Sequence, residues 1–120
     1  MEFNQQAASK NSIISVDNLG VKLANSTLKT PCFISPNYQT ELEISALSAL
    51  DKITLFPLSQ PDNIDILIIG TGAKIEFLSA EQQVAISQMG LGVETMNSES
   101  ACRSFNLLLS DKRLVGLLLL

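Results

Sequence analysis

Ile64-Asp65-Ile66-Leu67-Ile68-Ile69 is a nearly continuous apolar run, broken only by Asp65, and Gly70-Thr71-Gly72 ends it. A run of this length without strict alternation reads as a strand covered on both faces, hence part of a mostly parallel, buried sheet. Ser79 with Gln82 makes a capping box, which predicts a helix from Ala80 to Gly90, with Gly90 suited to the left-handed position after a helix. Val84, Ala85 and Met89 are its expected buried stripe. Gly92–Met96 reads as the next strand. Asn97 or Ser98 then caps a second helix, in which Ala101, Cys102, Phe105, Leu108 and Leu109 share one apolar face. Arg103, Asn106 and Ser110 fall on another face. Asp111-Lys112 makes a loop, and Leu114–Leu120 a final buried strand. Strands alternating with helices of these lengths imply right-handed crossovers onto one sheet.

Upstream the pattern shortens. Met1–Asn11 is rich in Asn, Gln, Ser and Ala and is expected to be a disordered tail, leaving one domain over residues 12–120. Ser12–Asp17, Val21–Ala24 and Thr27–Ile34 read as a β-meander, with turns at Asn18-Leu19-Gly20 and Asn25-Ser26. Pro31 argues for an edge or a bulge in its last segment, and Ser35-Pro36-Asn37 ends it. Glu41–Ser45 is one more candidate strand. Residues 46–60 stay open. Ile53-Thr54-Leu55-Phe56 is β-like by propensity, yet Asp51 is a good helix cap and Leu55 and Leu58 share a helical face. A helix there would have to hold Pro57.

Composition narrows the chemistry. A chain of 120 residues, 46 % apolar and 17 % charged, buries roughly two thirds of its unfolded surface without needing disulfides or metals. Net charge is −4, and the acidic excess lies mostly in residues 61–120, with four basic and seven acidic side chains. No Lys/Arg cluster is present and aromatics are 5 %, so nucleic-acid binding is not expected. The absence of histidine removes Ser–His and Cys–His triads and His-ligated zinc. Cys32 and Cys102 make no C-x-x-C and fit reduced thiols. Met1–Lys10 lacks the apolar core of a secretory signal, and Leu114–Leu120 is too short to span a bilayer. The expectation is a cytoplasmic protein with no integral membrane segment.

Three features invite a functional reading. A strand followed by Gly70-Thr71-Gly72, with Glu94 about where a ribose-binding acid would lie, resembles a dinucleotide fingerprint. Ile75 at the third glycine position and the late helix cap at Ser79 oppose it, because a diphosphate would not meet the helix N-terminus. A strand-end loop needing positive φ or close backbone approach is the plainer reading, and a loop shaping a pocket lies between. Cys102, near a helix start and beside Arg103, has the surroundings of a reactive thiol, but its place on the apolar face favours a buried structural one. Arg103 and Asn106 are candidates to hold a ligand carboxylate or a partner's backbone, or belong simply to a solvated face. Asp62 and Asp65 have no second carboxylate placed with them by spacing, which leaves acid–base catalysis without support.

The block Asp65–Gly72, then Gly92-Val93-Glu94-Thr95-Met96, then Ala101-Cys102-Arg103-Ser104-Phe105-Asn106-Leu107-Leu108, resembles an uncharacterised domain family. That family includes mitochondrial NADH dehydrogenase (complex I) assembly factor three and the adipogenesis-associated domain protein. Leu50-Asp51 and Phe56-Pro57-Leu58 resemble its first helix. The resemblance implies an α/β fold of three layers, a central mixed sheet with helices and an additional N-terminal β layer. It implies no established catalytic activity, no cofactor, and a protein partner. Ser104-Phe105 stands where members commonly have Thr-Tyr, and Ile75 where they have Gln, so polar groups are fewer near the presumed pocket. Two functions follow as expectations. One is a non-enzymatic interaction or assembly module. The other is a small-ligand or anion-binding protein, conceivably an enzyme, using Gly70, Thr71 and Gly72 with Arg103 and Asn106. Redox sensing through Cys102 is a third.

Overall fold

A computed structural model describes residues 11–44 and 46–120. Among the described residues the strands are β1 (Ile13–Val16), β2 (Gly20–Leu23), β3 (Thr27–Lys29), β4 (Cys32–Ile34), β5 (Gln39–Glu41), β6 (Ile66–Gly70), β7 (Gly92–Met96) and β8 (Val115–Leu119). The α-helices are α1 (Lys52–Ser59), α2 (Ala80–Gln88) and α3 (Ser98–Ser110), with a 3-10 turn at Leu47–Ala49.

The apolar run from Ile64 becomes β6, which is paired in parallel with β7 on one side and β8 on the other. Strand β4 adds antiparallel to β8, and β5 to β4, giving the order β5-β4-β8-β6-β7. The sheet is therefore mixed. Side chains along its central strands alternate between two cores. Ile68, Val115, Leu117 and Leu119 face one core with Ala101, Cys102, Phe105 and Leu109 of α3 and with Ile13, Val16, Val21 and Leu23 of the small sheet. Leu67, Ile69 and Leu118 face the other with Leu55 and Leu58 of α1 and Ile86 of α2. The result is three layers: α3 beside the small sheet β1-β2-β3, then the five-stranded sheet, then α1 and α2. All five residues of β8 are buried, because the strand lies inside the sheet with both faces covered.

The open segment resolves as helix. The Asp51 carboxylate accepts from Thr54 N at 2.8 Å, and Asp51 N donates back to Thr54 Oγ1 at 3.0 Å. This reciprocal cap outweighs the β propensity of Ile53–Phe56. Pro57 sits inside this helix and leaves without a helical donor the carbonyl of Ile53, a residue that is 82 % exposed. On α2 the Ser79–Gln82 box forms as expected, and the same Gln82 amide donates to Leu47 O and Leu50 O, holding α2 to the segment before α1.

Five expectations need correction. Thr27–Ile34 is two strands, because the chain turns at the cis Thr30-Pro31 bond and β3 and β4 join different sheets. Strand β4 is interior to its sheet, so Pro31 marks a crossing between sheets, while β3 is the edge. The strand placed at Glu41–Ser45 is Gln39–Glu41, set by the hairpin register Ile34↔Gln39; Ser45 lies outside the described residues. On α2, Val84 is 56 % exposed and Ile86 is the buried residue. Finally, Asn11 is no part of a loose tail: it is buried and donates to Ser35 O at 2.7 Å. The rest of that expected tail, residues 1–10, lies outside the described residues.

Candidate functional site

The two glycines of Gly70-Thr71-Gly72 do different work. A Cβ on Gly70 would stand 2.6 Å from Leu119 Cδ2 and 3.1 Å from both Ala101 Cβ and Ser98 Cα. Gly70 is thus what lets the start of α3 lie against the sheet. Gly72 has φ +85° with open space around it, so it is needed for its backbone conformation alone. Between them Thr71 is buried and fully bonded. Its N–H donates to Met96 O at 2.9 Å, and its hydroxyl donates to Lys74 O at 2.7 Å while accepting from Glu76 N at 3.0 Å.

This turn stands at a topological switch point. The connection after β6 leads to α2 on one face of the sheet, and the connection after β7 leads to α3 on the other. Such divergence opens a crevice at the carboxyl ends of the strands, where α/β proteins commonly bind ligands. Here the crevice is laced shut. Gly72 N donates to Ser98 Oγ at 2.8 Å, and Ser98 N donates to Gly72 O at 2.8 Å. The Asn97 side chain caps α3 by accepting from Ser100 N at 2.9 Å.

A cleft of about 320 Å³ remains beside the turn, on the side of the small sheet. It is lined by Gly72 and Ala73, by Asn97, Ser98 and Glu99 at the start of α3, by Val16, Asp17 and Asn18 of the β1–β2 connection, and by Thr30 and Leu120. The charged side chains among these are both carboxylates, Asp17 and Glu99. Asp17 is already committed to its own turn, accepting from Leu19 N at 2.8 Å and Gly20 N at 3.0 Å. An anion entering the cleft would meet negative charge, and the N–H groups of Thr71 and Gly72 that could cradle it are spent internally. Among the described residues no group of three or more Cys, Asp or Glu could hold a metal ion.

The expected site residues are dispersed. Gly72 lines the cleft, and Gly70 and Thr71 lie beneath it. Glu94 is exposed on β7, at the free edge of the sheet. Cys102 is fully buried in the α3 core, where burial, the neighbouring Cys32 and Glu99 push its thiol up to about 12; Cys32 is likewise pushed up to about 12 by burial and Glu41. Neither thiol has the raised thiolate fraction that reactivity requires. Arg103 is exposed on α3. Asn106 is occupied elsewhere, its Oδ1 accepting from Ile13 N at 2.8 Å and its Nδ2 donating to Ile13 O at 2.9 Å. Asp65, which interrupts the apolar run in sequence, is exposed just before β6. Residues flanking the strands of the small sheet, Asp17, Asn18 and Thr30, enter the cleft by long-range packing that no local pattern announces.

A family model described as "Protein of unknown function (DUF498/DUF598)" matches residues 13–120. The chain is 32 % identical over 116 residues to NADH dehydrogenase [ubiquinone] 1 alpha subcomplex assembly factor 3 of Danio rerio, covering 95 % of this chain and 66 % of that protein. It is 28 % identical over 116 residues to the Homo sapiens protein of the same name, covering 95 % and 62 %. The chain thus spans just under two thirds of the length of these relatives. Among solved structures, a Mth938-like domain from Bordetella pertussis superposes with a TM-score of 0.78 at 20 % identity, covering 100 % of this chain and 92 % of that one.

Proposed function

This chain belongs to the DUF498/DUF598 family, and from that premise we propose that it is a non-enzymatic protein-interaction module that assists assembly of a respiratory NADH dehydrogenase. The observation that carries this reading is the collinear similarity of nearly the whole chain to assembly factor 3. The site geometry supports it from the other side. The crevice where an α/β enzyme would bind substrate is bridged by the Gly72–Ser98 pair, the cleft beside it is lined by carboxylates, and the cysteines are buried in the core. The small-ligand reading loses its anion donors on the same grounds. Among the described residues no helix is long and apolar enough to cross a membrane. The proposal has the protein working from the cytoplasm, by binding subunits or subassemblies.

Deletion of the gene in a respiring host, followed by native gel electrophoresis of the membranes, tests this. Loss of fully assembled NADH dehydrogenase with accumulation of smaller subassemblies is expected, and re-expression restores it. A normal complex at normal abundance overturns the assignment.

A further inference from the structure

Strands β5 and β7 are the two ends of the five-stranded sheet, and they are treated differently. The β5 side is closed by the small sheet: Lys29 N donates to Glu41 Oε2 at 2.7 Å and Ser26 Oγ to Gln39 Oε1 at 2.8 Å. Among the described residues no strand pairs with the outer side of β7. Gly92 N donates to Asp65 O, and Thr71 N to Met96 O, so the parallel ladder to β6 begins at Gly92 and ends at Met96. In a parallel ladder alternate residues bond to the same neighbour. Gly92, Glu94 and Met96 therefore face β6, and Val93 and Thr95 turn their N–H and C=O groups outward. No turn, loop or side-chain hydrogen bond among the described residues reaches those four groups. The strand has neither proline nor lysine, and its one charged guard is Glu94.

Glu94 decides what can pair there. In the register that uses all four outward groups, a second copy of β7 would set Glu94 directly opposite Glu94, at the closer spacing of a non-hydrogen-bonded pair, where like charges repel. A segment with a cation at that position meets the opposite sign. The flank of α3 beside β7 adds an apolar shoulder. Ser104 Oγ donates to Met96 Sδ, and Leu107, three residues on along that flank, is 70 % exposed. The aliphatic stem of a Lys or Arg can lie on such a surface while its head reaches a carboxylate. We infer that β7 is a strand-addition site for an extended segment of another protein, paired antiparallel through Val93 and Thr95, with a Lys or Arg opposite Glu94. This deepens the protein-binding reading above by naming the surface and the chemistry of its partner.

The probe is a synthetic heptapeptide alternating threonine and valine with lysine at its centre, added to the full 15N-labelled chain. The Val93 and Thr95 amides are expected to exchange rapidly in the free protein and to become protected on titration. Glu94→Lys is expected to weaken the lysine peptide about tenfold and to strengthen a glutamate-centred peptide by a similar factor. Glu94→Thr is expected to shift the chain toward a dimer in sedimentation at concentrations where the wild type stays monomeric. Glu94 is exposed, so these variants keep the fold, which the rest of the amide spectrum verifies. Protection of Val93 and Thr95 already present in the free chain overturns the inference, as does equal peptide binding by wild type and Glu94→Lys. Neither result touches the deletion phenotype, so the surface and the assembly role fail independently.

Discussion

The side-chain amide of Asn106 takes both backbone groups of Ile13, 93 residues earlier in the chain, as though it were a residue of a neighbouring strand. Donor meets acceptor twice, and the small sheet is thereby fixed to α3 in a single register. Asn106→Leu should leave Ile13 N–H and C=O without partners in a half-buried place. The expected loss is about 1–3 kcal/mol, read as a lower midpoint in urea with an unchanged slope. A midpoint equal to the wild type would show that this bridge is dispensable.

Gly70 and Gly72 should fail in distinguishable ways. Gly70→Ala forces a methyl group against Leu119 and the start of α3, at an expected cost of about 1–3 kcal/mol, with amide shifts spreading along α3. Gly72→Ala meets nothing but must hold φ near +85°, which costs about 1–2 kcal/mol and should disturb only the turn. Heteronuclear NMR of both variants separates packing from backbone strain.

The two buried thiols set an alkaline limit. Below pH 9 they are protonated whether the chain is folded or not, so they give stability no pH dependence. Above it the unfolded chain releases protons that the native state keeps until about pH 12. Stability must then fall with rising pH, by up to about 1.4 kcal/mol per pH unit for each thiol. Denaturant titrations from pH 8 to 11 should show this slope, and it should be reduced in Cys32→Ala/Cys102→Ala. In the native protein at pH 8 alkylating reagents should label neither thiol until denaturant is added.

Asp51 works at the acid end. Its carboxyl is held below 3.8, chiefly by the Thr54 backbone N–H and then by the Thr54 side chain. Its contribution is complete above the unfolded value and is lost as pH falls through the lower native one. Asp51→Ala should remove that acid sensitivity and speed amide exchange in α1 near neutral pH, with the difference from wild type closing as the pH falls through the native value.

The fold was legible where local chemistry and burial agree. The run from Ile64, the Ser79 box, the cap at Asn97 and the face Ala101–Leu109 are short-range signals, and each became the element it announced. The place of Cys102 on that face marks it as a core thiol, and it is fully buried. What escaped the reading depends on distance. Nothing near Thr30-Pro31 says that the chain changes sheets there, since β4 is interior only because β8 arrives to pair with it. Asn106 looks like any polar residue on a helix until Ile13 is placed beside it. A Cβ on Gly116 would strike Phe33 Cζ at 2.7 Å, an approach that the apolar run Leu114–Leu120 does not announce. The cleft joins Asp17 and Thr30 to Glu99, three segments far apart in sequence, so no motif could have outlined it.

Strand β8 has a consequence for the order of events. It lies between β6, with which it shares the compact run from residue 66 onward, and β4, whose Cys32 it meets at Leu119. The β6–α2–β7–α3–β8 segment closes over short loops and can form early, whereas β4 has no interior neighbour until residues 115–119 are in place. During synthesis the front half of the molecule must wait, its Phe33 and Ile34 unburied, for a strand made long afterwards. A ribosome-bound intermediate halted before Val115 should therefore be a chaperone client, released only when the last strand emerges.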